Sequence, residues 1–415
     1  MSGTTPPRSG RSAVDGDRAS VLVISPNVPA HDYSSGDLRL FSMCRLLAVK
    51  YDVVLASMNR RPRSEDERYV RELEKVGIEV VMPRWSLRDI LNRRRFGPVI
   101  LEFYHTAEEY LRAIRILRPR CPILIDNVDV HFHRERLKYE VTRDPADVQK
   151  ATETYHREMR MYREADCVIA VTREDAEIIR REDPSIRCEI VPNIHEIVGH
   201  DRPGDEKNVL IFVGSFYHEP NGDAIAYFCR DILPLIHRRR PDVRLRIIGS
   251  GVSGPLERFA GAQVEFVGWV PSVTPYLNSA GISVAPLRFG AGMKGKIGEA
   301  MAHGLPVVTT SVGAQGFGLT PGKNVLLGDT ADAFALAVLR LLEDEALYRA
   351  MAAESIEFIR QRFTPERVAQ AISSVVDGSL GREVKAIKPL ARMEMLSRYA
   401  LGKLRRACRF PRGWE

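Results

Sequence analysis

Between Phe289 and Phe317 the chain reads FGAGMKGKIGEAMAHGLPVVTTSVGAQGF, with Lys294 and Lys296 set among glycines and Glu299 three residues further on. Gly290, Gly292 and Gly295 disfavour regular structure and let backbone approach a ligand closely, so LRFGAGMKGK reads as a loop. IGEAMAHG then reads as a helix that stops at Gly304. This puts both lysines at a helix entrance, where free N–H groups and the helix dipole favour an anion. Glu299 falls on the same face, one turn inside. Two cations followed by an acceptor-only carboxylate suit a ligand that carries phosphates and then a diol, which is the chemistry of a nucleotide. The competing reading is a Lys296–Glu299 ion pair on a helix surface, which spacing alone makes as good; the glycines on three sides of the lysines favour the ligand.

Two further clusters precede it. Ser34-Ser35-Gly36-Asp37-Leu38-Arg39 reads as a glycine loop entering a helix, a second anion-friendly terminus with Gly36 and Arg39 toward a cleft. Its alternative is a helix capped by Asp37 with Arg39 in solvent. Asp126, Asp129, His131 and His133 stand at or beyond the end of the run PILID, with Arg134 and Arg136 following as groups that could assist an anionic acceptor. A zinc site on Asp129, His131 and His133 lacks an evident fourth ligand, so no metal is expected.

The elements that must position these residues are legible as short apolar runs alternating with longer amphipathic stretches. The runs are VLVIS at 21, YDVVLAS at 51, IEVVM at 78, PILID at 122, CVIAV at 167, VLIFVG at 209, VRLRIIG at 243, VEFVG at 264, ISVAP at 282 and PVVTT at 306. Such alternation predicts parallel βαβ layers, the strands apolar throughout because helices cover both faces. A chain of 415 residues exceeds one compact core, and a seam of Pro, Gly, His and acids at 191–208 divides it. The expected organisation is a disordered lead at 1–18, one doubly wound domain at 19–200 and a second at 201–363. A C-terminal helix at 364–384 and a basic tail at 385–415 follow. DAFALAVLRLLEDEALYRAMAAESIEFIRQRF predicts two or three helices, and Thr364-Pro365-Glu366 starts another.

Composition narrows the classes. Six cysteines without CxxC spacing fit reduced thiols in a cytoplasmic protein rather than a disulfide framework. No run is apolar and long enough to span a bilayer, and the lead lacks the apolar core of a signal peptide. The net charge of +7 is concentrated in the last stretch. That stretch reads either as a solvated helix or as a surface helix drawn to anionic lipid. Nucleic acid is not an expected partner, since aromatic and basic residues do not interleave in the core.

The run GAGMKGKIGEAMAHGLPVVTTSVGAQG resembles the donor-site signature of retaining glycosyltransferases of the GT-B fold, family 4, the glycosyl transferases group 1 type. FVGSFYHEPNGDAIAYFCRDILPLI is similar to the first strand and helix of that group's C-terminal domain; SPNVPAHDYSSGDLRLFSMCRLLA and IDNVDVHFHRERL resemble its first loop and its Asp-x-His segment. The resemblance spans roughly residues 20–370. It implies an α/β chain with two Rossmann-like doubly wound domains facing a central cleft, and a helix returning to the N-terminal domain. It further implies that Glu299 binds ribose, that Lys294 and Lys296 bind diphosphate, and that Gly214 and Ser215 lie beneath the phosphates. Gly290 and Gly292 belong to the donor loop, and His131 touches the donor sugar or acceptor hydroxyl. Gly36, Arg39 and Asp129 lie beside the diphosphate or the acceptor. Where many members carry a glutamate eight positions before the second one, this chain has Ala291, and the expectation is that Gly292 and neighbouring backbone donors take over the sugar contact. The function implied is transfer of a sugar from a nucleotide-sugar to a glycan or lipid-linked acceptor, without cofactor or metal, at the inner face of a bacterial envelope. The alternatives are a nucleotide-sugar epimerase of the same fold, or a basic membrane- or nucleic-acid-binding protein without catalysis.

Overall fold

Val, Ile and Leu dominate the short runs, and such residues fit a pleated surface buried on both sides. In the computed structural model, which describes residues 18–58, 65–82, 86–198, 206–252 and 254–386, these runs form two all-parallel sheets. The first contains β1 (Ser20–Ser25), β2 (Asp52–Ser57), β3 (Glu79–Val81), β4 (Val99–Glu102), β5 (Ile123–Asn127), β6 (Cys167–Ala170) and β7 (Cys188–Ile190). Its order is β3-β2-β1-β4-β5-β6-β7. The second contains β8 (Glu206–Val213), β9 (Arg244–Ile248), β10 (Val264–Gly268), β11 (Ala280–Ala285), β12 (Val307–Thr309) and β13 (Leu326–Leu327), in the order β10-β9-β8-β11-β12-β13. Each order reverses once, between β1 and β4 and between β8 and β11, and ligands of open α/β sheets bind outside the strand ends at such a reversal. All ten predicted runs are strands. Three strands escaped prediction, β4, β7 and β13, each only two to four residues long.

Helices α1 (Ser35–Lys50), α2 (Asp66–Lys75), α3 (Leu87–Arg93), α4 (Phe103–Leu117), α5 (His131–Thr142), α6 (Pro145–Glu164) and α7 (Arg173–Glu182) flank the first sheet. Around the second lie α8 (Glu219–Tyr227), α9 (Leu233–His237), α10 (Thr274–Ser279), α11 (Gly295–Ala302), α12 (Ser311–Ala314), α13 (Ala331–Glu343) and α14 (Glu345–Arg362). A π-helical turn, Phe228–Ile232, joins α8 to α9. Apolar clusters fill both faces of each sheet. The last helix, α15 (Pro365–Ser379), carries Val368, Ile372, Val375 and Val376 into the cluster that holds Leu40, Met43 and Leu47 of α1. Tyr51 Oη donates to Asp377 at 2.7 Å and anchors it to the N-terminal domain. Of the expected lead only Arg18, and of the basic tail only Lys385 and Ala386, fall within the described residues; the remainder of both lies outside them. The Lys385 amide donates to Asp166 and its ammonium to the Arg163 carbonyl.

Candidate functional site

A cavity of about 1050 Å³ lies between the two sheets and is lined by segments that follow β1, β5, β8, β9, β10 and β11. Gly36, Arg39, Asp129, His131, Gly214, Ser215, Gly290, Lys294, Lys296 and Glu299 all reach it; Gly292 does not line it.

The loop after β11 runs into α11, whose N-cap is Lys294 and whose second residue is Lys296. The two ammonium groups serve different neighbours. Lys294, 8% exposed, donates to the Gly292 carbonyl at 3.0 Å and faces Asp175, Asp129 and Glu174 of the N-terminal domain. Lys296 donates to Asn221 Oδ1 at 2.8 Å and lies 5.2 Å from the Phe212 ring centroid. Burial pulls both lysines down to about 8; carboxylates oppose it at Lys294, whereas at Lys296 the neighbouring Lys294 adds to it and Glu299 opposes it. The Glu299 carboxylate makes no hydrogen bond or ion pair among the described residues, so the helical Lys296–Glu299 bridge is not formed. Burial raises its carboxyl to about 7 against the pull of Lys296. An open carboxylate and two buried lysines at a helix entrance form a site that gains from an anionic, hydroxyl-bearing ligand.

Beneath Lys296 lies the loop after β8. The Gly214 amide donates to the Ile248 carbonyl at 2.9 Å, and a Cβ on Gly214 would stand 2.8 Å from Asn221 Nδ2. Gly249, at φ +144°, has room for no side chain: its Cβ would lie 1.9 Å from the Gly214 carbonyl oxygen. Ser250 Oγ beside it is buried without a partner and lines the cavity.

The glycines of the donor loop do something the sequence reading did not foresee. A Cβ on Gly292, at φ +68°, would meet the Val128 carbonyl at 2.6 Å, and one on Gly295 would meet Ser35 Cβ at 2.6 Å. On Gly298 it would strike the His195 ring at 2.2 Å, and on Gly316 the Thr172 methyl at 2.3 Å. These glycines admit the N-terminal domain to close contact. The expected sugar contact through Gly292 is accordingly corrected: its carbonyl accepts from Lys294 and its amide donates to the Asp175 carboxylate. Asn193 Nδ2 to the Met293 carbonyl (3.2 Å), Trp269 Nε1 to the Asp32 carbonyl (3.1 Å) and Lys138 to Glu219 (2.8 Å) also join the two domains. His195 is 7% exposed with its Nε2 unpartnered, and burial takes it down to about 4.

On the opposite wall, His131 opens α5. Its Nδ1 lies 3.1 Å from both the carbonyl and the Oδ1 of Asp129 and 3.5 Å from Glu158 Oε1, while its Nε2 makes no hydrogen bond among the described residues. Burial lowers the imidazole's affinity for a proton, but Asp129 and Glu158 outweigh it and hold His131 above its ordinary value. Asp129 also binds Arg134; although burial alone would raise it, Arg134, His131 and His218 hold its carboxyl well below the usual range. Glu158, fully buried on α6, was invisible in the sequence: it accepts from the amides of His131 (3.1 Å) and Phe132 (2.9 Å) and from Tyr162 Oη, so that it caps α5 and fixes the histidine. His218, the N-cap of α8, faces this cluster from the other domain; burial and the nearby Arg134 bring it down to about 4.

The Ser34–Arg39 segment differs from expectation. Helix α1 begins at Ser35, so Gly36 lies within its first turn, and Ser34 is the cap: it accepts from the Asp37 amide at 3.1 Å and donates to Asp37 Oδ2 at 2.8 Å. Arg39 is 2% exposed; its Nη2 donates to Asp126 Oδ1 at 2.8 Å and its Nη1 to the Pro192 carbonyl at 2.8 Å. Three of its five N–H groups are thereby committed, two to a fully buried carboxylate and one to the Pro192 carbonyl. Among the described residues no three His, Cys, Asp or Glu side chains are grouped to hold a metal ion, and no helix is long and apolar enough to cross a membrane.

Residues 207–344 match the family model described as glycosyl transferases group 1. A 44.6 kDa protein from the cps region of Klebsiella pneumoniae is 23% identical over 172 residues, 39% of this chain and 44% of that protein. The phosphatidyl-myo-inositol mannosyltransferase of Mycolicibacterium smegmatis is 28% identical over 194 residues, 45% of this chain and 48% of the enzyme. The chain thus spans about half the length of the curated relatives it matches. Among solved structures, HepE of Anabaena in complex with UDP and glucose superposes with a TM-score of 0.66 at 14% identity, over 87% of this chain and all of that one. The fold is GT-B, two Rossmann-like domains on either side of a cleft.

Proposed function

We propose that the protein is a retaining glycosyltransferase of family 4 type. It would move a sugar from a nucleotide-sugar to the hydroxyl of a glycan or lipid-linked acceptor in cell-envelope glycan synthesis. The observation that carries this reading is the arrangement on α11: Lys294 and Lys296 at the helix entrance, and one turn inside an unpaired Glu299. In this reading the lysines and helix N-terminus neutralise the diphosphate, and Glu299 accepts from the ribose hydroxyls. The bond from the anomeric carbon to the phosphate oxygen breaks as the acceptor hydroxyl oxygen bonds to the same face, and the hydroxyl proton passes to the departing phosphate oxygen. Charge develops on the departing diphosphate between the two lysines, where fixed cations act without reorganising, and no metal is needed. His131, where Asp129 and Glu158 outweigh burial and raise the affinity for a proton, presents Nε2 to the sugar or the acceptor oxygen. The cps-region and mannosyltransferase relatives support an envelope glycan as product, and the UDP complex of HepE supports a nucleotide in the cleft. A cytoplasmic enzyme lying on the inner membrane face, held there by the basic tail, is the setting that fits such an acceptor.

A panel of UDP-, GDP-, dTDP- and ADP-sugars tests the proposal, with release of nucleoside diphosphate and binding of each diphosphate measured together. One donor should bind and be slowly hydrolysed without acceptor; failure of all four diphosphates to bind would refute the assignment.

A further inference from the structure

Asn221 carries no charge, is 3% exposed, and lies in the first turn of α8 with both ends of its carboxamide occupied. Its Nδ2 donates to the Ser215 carbonyl at 2.7 Å and its Oδ1 accepts from the Lys296 ammonium at 2.8 Å. The orientation of the amide follows from its partners, since a carbonyl can only accept and an ammonium can only donate. Gly214 leaves the space for it, because a Cβ there would stand 2.8 Å from Nδ2. One side chain therefore ties the loop beneath the cavity to the cation above it.

We propose that Asn221 is a positioning residue that holds Lys296 over the 214–215 loop while leaving it a free cation for the donor's diphosphate. This rests on the nucleotide-sugar reading of the site and deepens it. A neutral carboxamide meets both demands at once. A carboxylate in its place could not donate to the Ser215 carbonyl and would form an ion pair with Lys296, competing with the ligand's phosphates. An apolar side chain would leave the buried ammonium and the carbonyl without partners. The other groups facing Lys296 are the Phe212 ring on β8, Lys294 and Glu299 on α11 and His218 at the head of α8; Glu299, the one carboxylate among them, forms no ion pair with it. Lys296 is thus poised by a neutral neighbour.

The test uses the full chain with UDP, GDP, dTDP and ADP as probes, each titrated across pH 6.5–9.5. Asn221→Asp should weaken the diphosphate that binds by about tenfold or more, and should move the alkaline fall in affinity to higher pH, because the new carboxylate keeps Lys296 protonated. Asn221→Ala should weaken it without moving that limb upward. A purely structural role would lower affinity in both variants and leave the pH limb in place. Lys296→Met supplies a control that does not depend on the folding of one variant: in that background, Asn221→Asp should cost no further affinity. An additive loss, or an unmoved limb, overturns the inference while leaving the nucleotide site standing. If none of the four diphosphates binds the unaltered chain, the reading of the site falls first and this inference with it.

Discussion

Replacing Glu299 by glutamine separates the proposed ribose-binding role from the folding role of this carboxylate. Burial raises the carboxyl to about 7, so at pH 8 it is mainly ionised and at pH 6 about nine-tenths protonated. Hydrogen bonds to a charged acceptor are worth about 1.5–3 kcal/mol and to a neutral one about 0.5–1.5 kcal/mol. The variant should therefore bind its nucleoside diphosphate about tenfold more weakly at pH 8. By pH 6 the native carboxyl is itself neutral, and the two proteins should converge. Above about pH 8 both should lose affinity together, as Lys294 and Lys296 give up their protons. Stability moves the other way. A carboxyl whose folded value lies above its unfolded one is best tolerated protonated, so native stability falls as pH rises from about 4.5 to 7. The unliganded glutamine variant should therefore melt no lower than the native protein at pH 8. Calorimetric titration from pH 6 to 9 with thermal melts at each pH reads both effects. Equal affinities at pH 8, or a gap that persists undiminished at pH 6, would refute the assignment of Glu299 as the ribose acceptor.

Two further outcomes follow from buried charge. Arg39→Met should cost about 3–5 kcal/mol of stability by stranding Asp126 without its cation, while the folded fraction binds diphosphate as before; urea unfolding beside calorimetry checks both. Glu158→Gln removes one of the two carboxylates that raise the affinity of His131 for a proton against the effect of burial, so the His131 titration should move to lower pH, an effect read by NMR of the imidazole.

The legible part of this molecule was whatever local chemistry dictates. Ten strands could be placed from apolar runs, and the α11 entrance from lysines among glycines, because periodicity and the orphan N–H groups of a helix start act over a few residues. Strand β4 was hidden because four residues between a Gly-Pro and a helix carry no alternation to read. Long-range pairing was the larger gap. Arg39 and Asp126 are 87 residues apart in the chain, and nothing in the neighbourhood of either says that the pair closes on itself instead of facing a ligand. Glu158 lies 27 residues beyond the histidine it fixes, on a helix whose other residues read as ordinary surface. Asn221 stood within the quoted family-like segment, yet its importance depends on a lysine 75 positions later.

The glycines show how one sequence feature can serve two physical ends. Read locally, Gly-x-Gly-x-Lys-Gly-Lys is a loop that lets a phosphate approach backbone. In the folded chain, Gly292 and Gly295 let α11 settle against Val128 and Ser35 of the other domain, and Gly298 seats the helix on His195. The segment is therefore both the proposed donor site and a contact face between the two domains. Lys294 lies on the side of that face where Asp129 and Asp175 attract it, and Lys296 on the side held by Asn221. A diphosphate drawing on both lysines must compete for Lys294 with carboxylates of the N-terminal domain, so donor binding and the seating of the domains are coupled through one side chain. The coupling has a direction: neutralising Lys294 weakens its attraction both to the phosphate and to the N-terminal wall. Lys294→Met should consequently lower diphosphate affinity and loosen the domain contact together, read as faster amide exchange at Gly292 and Met293, whereas Lys296→Met should lower affinity alone. Equal exchange in the two variants would show that the contact face does not depend on the charge of Lys294.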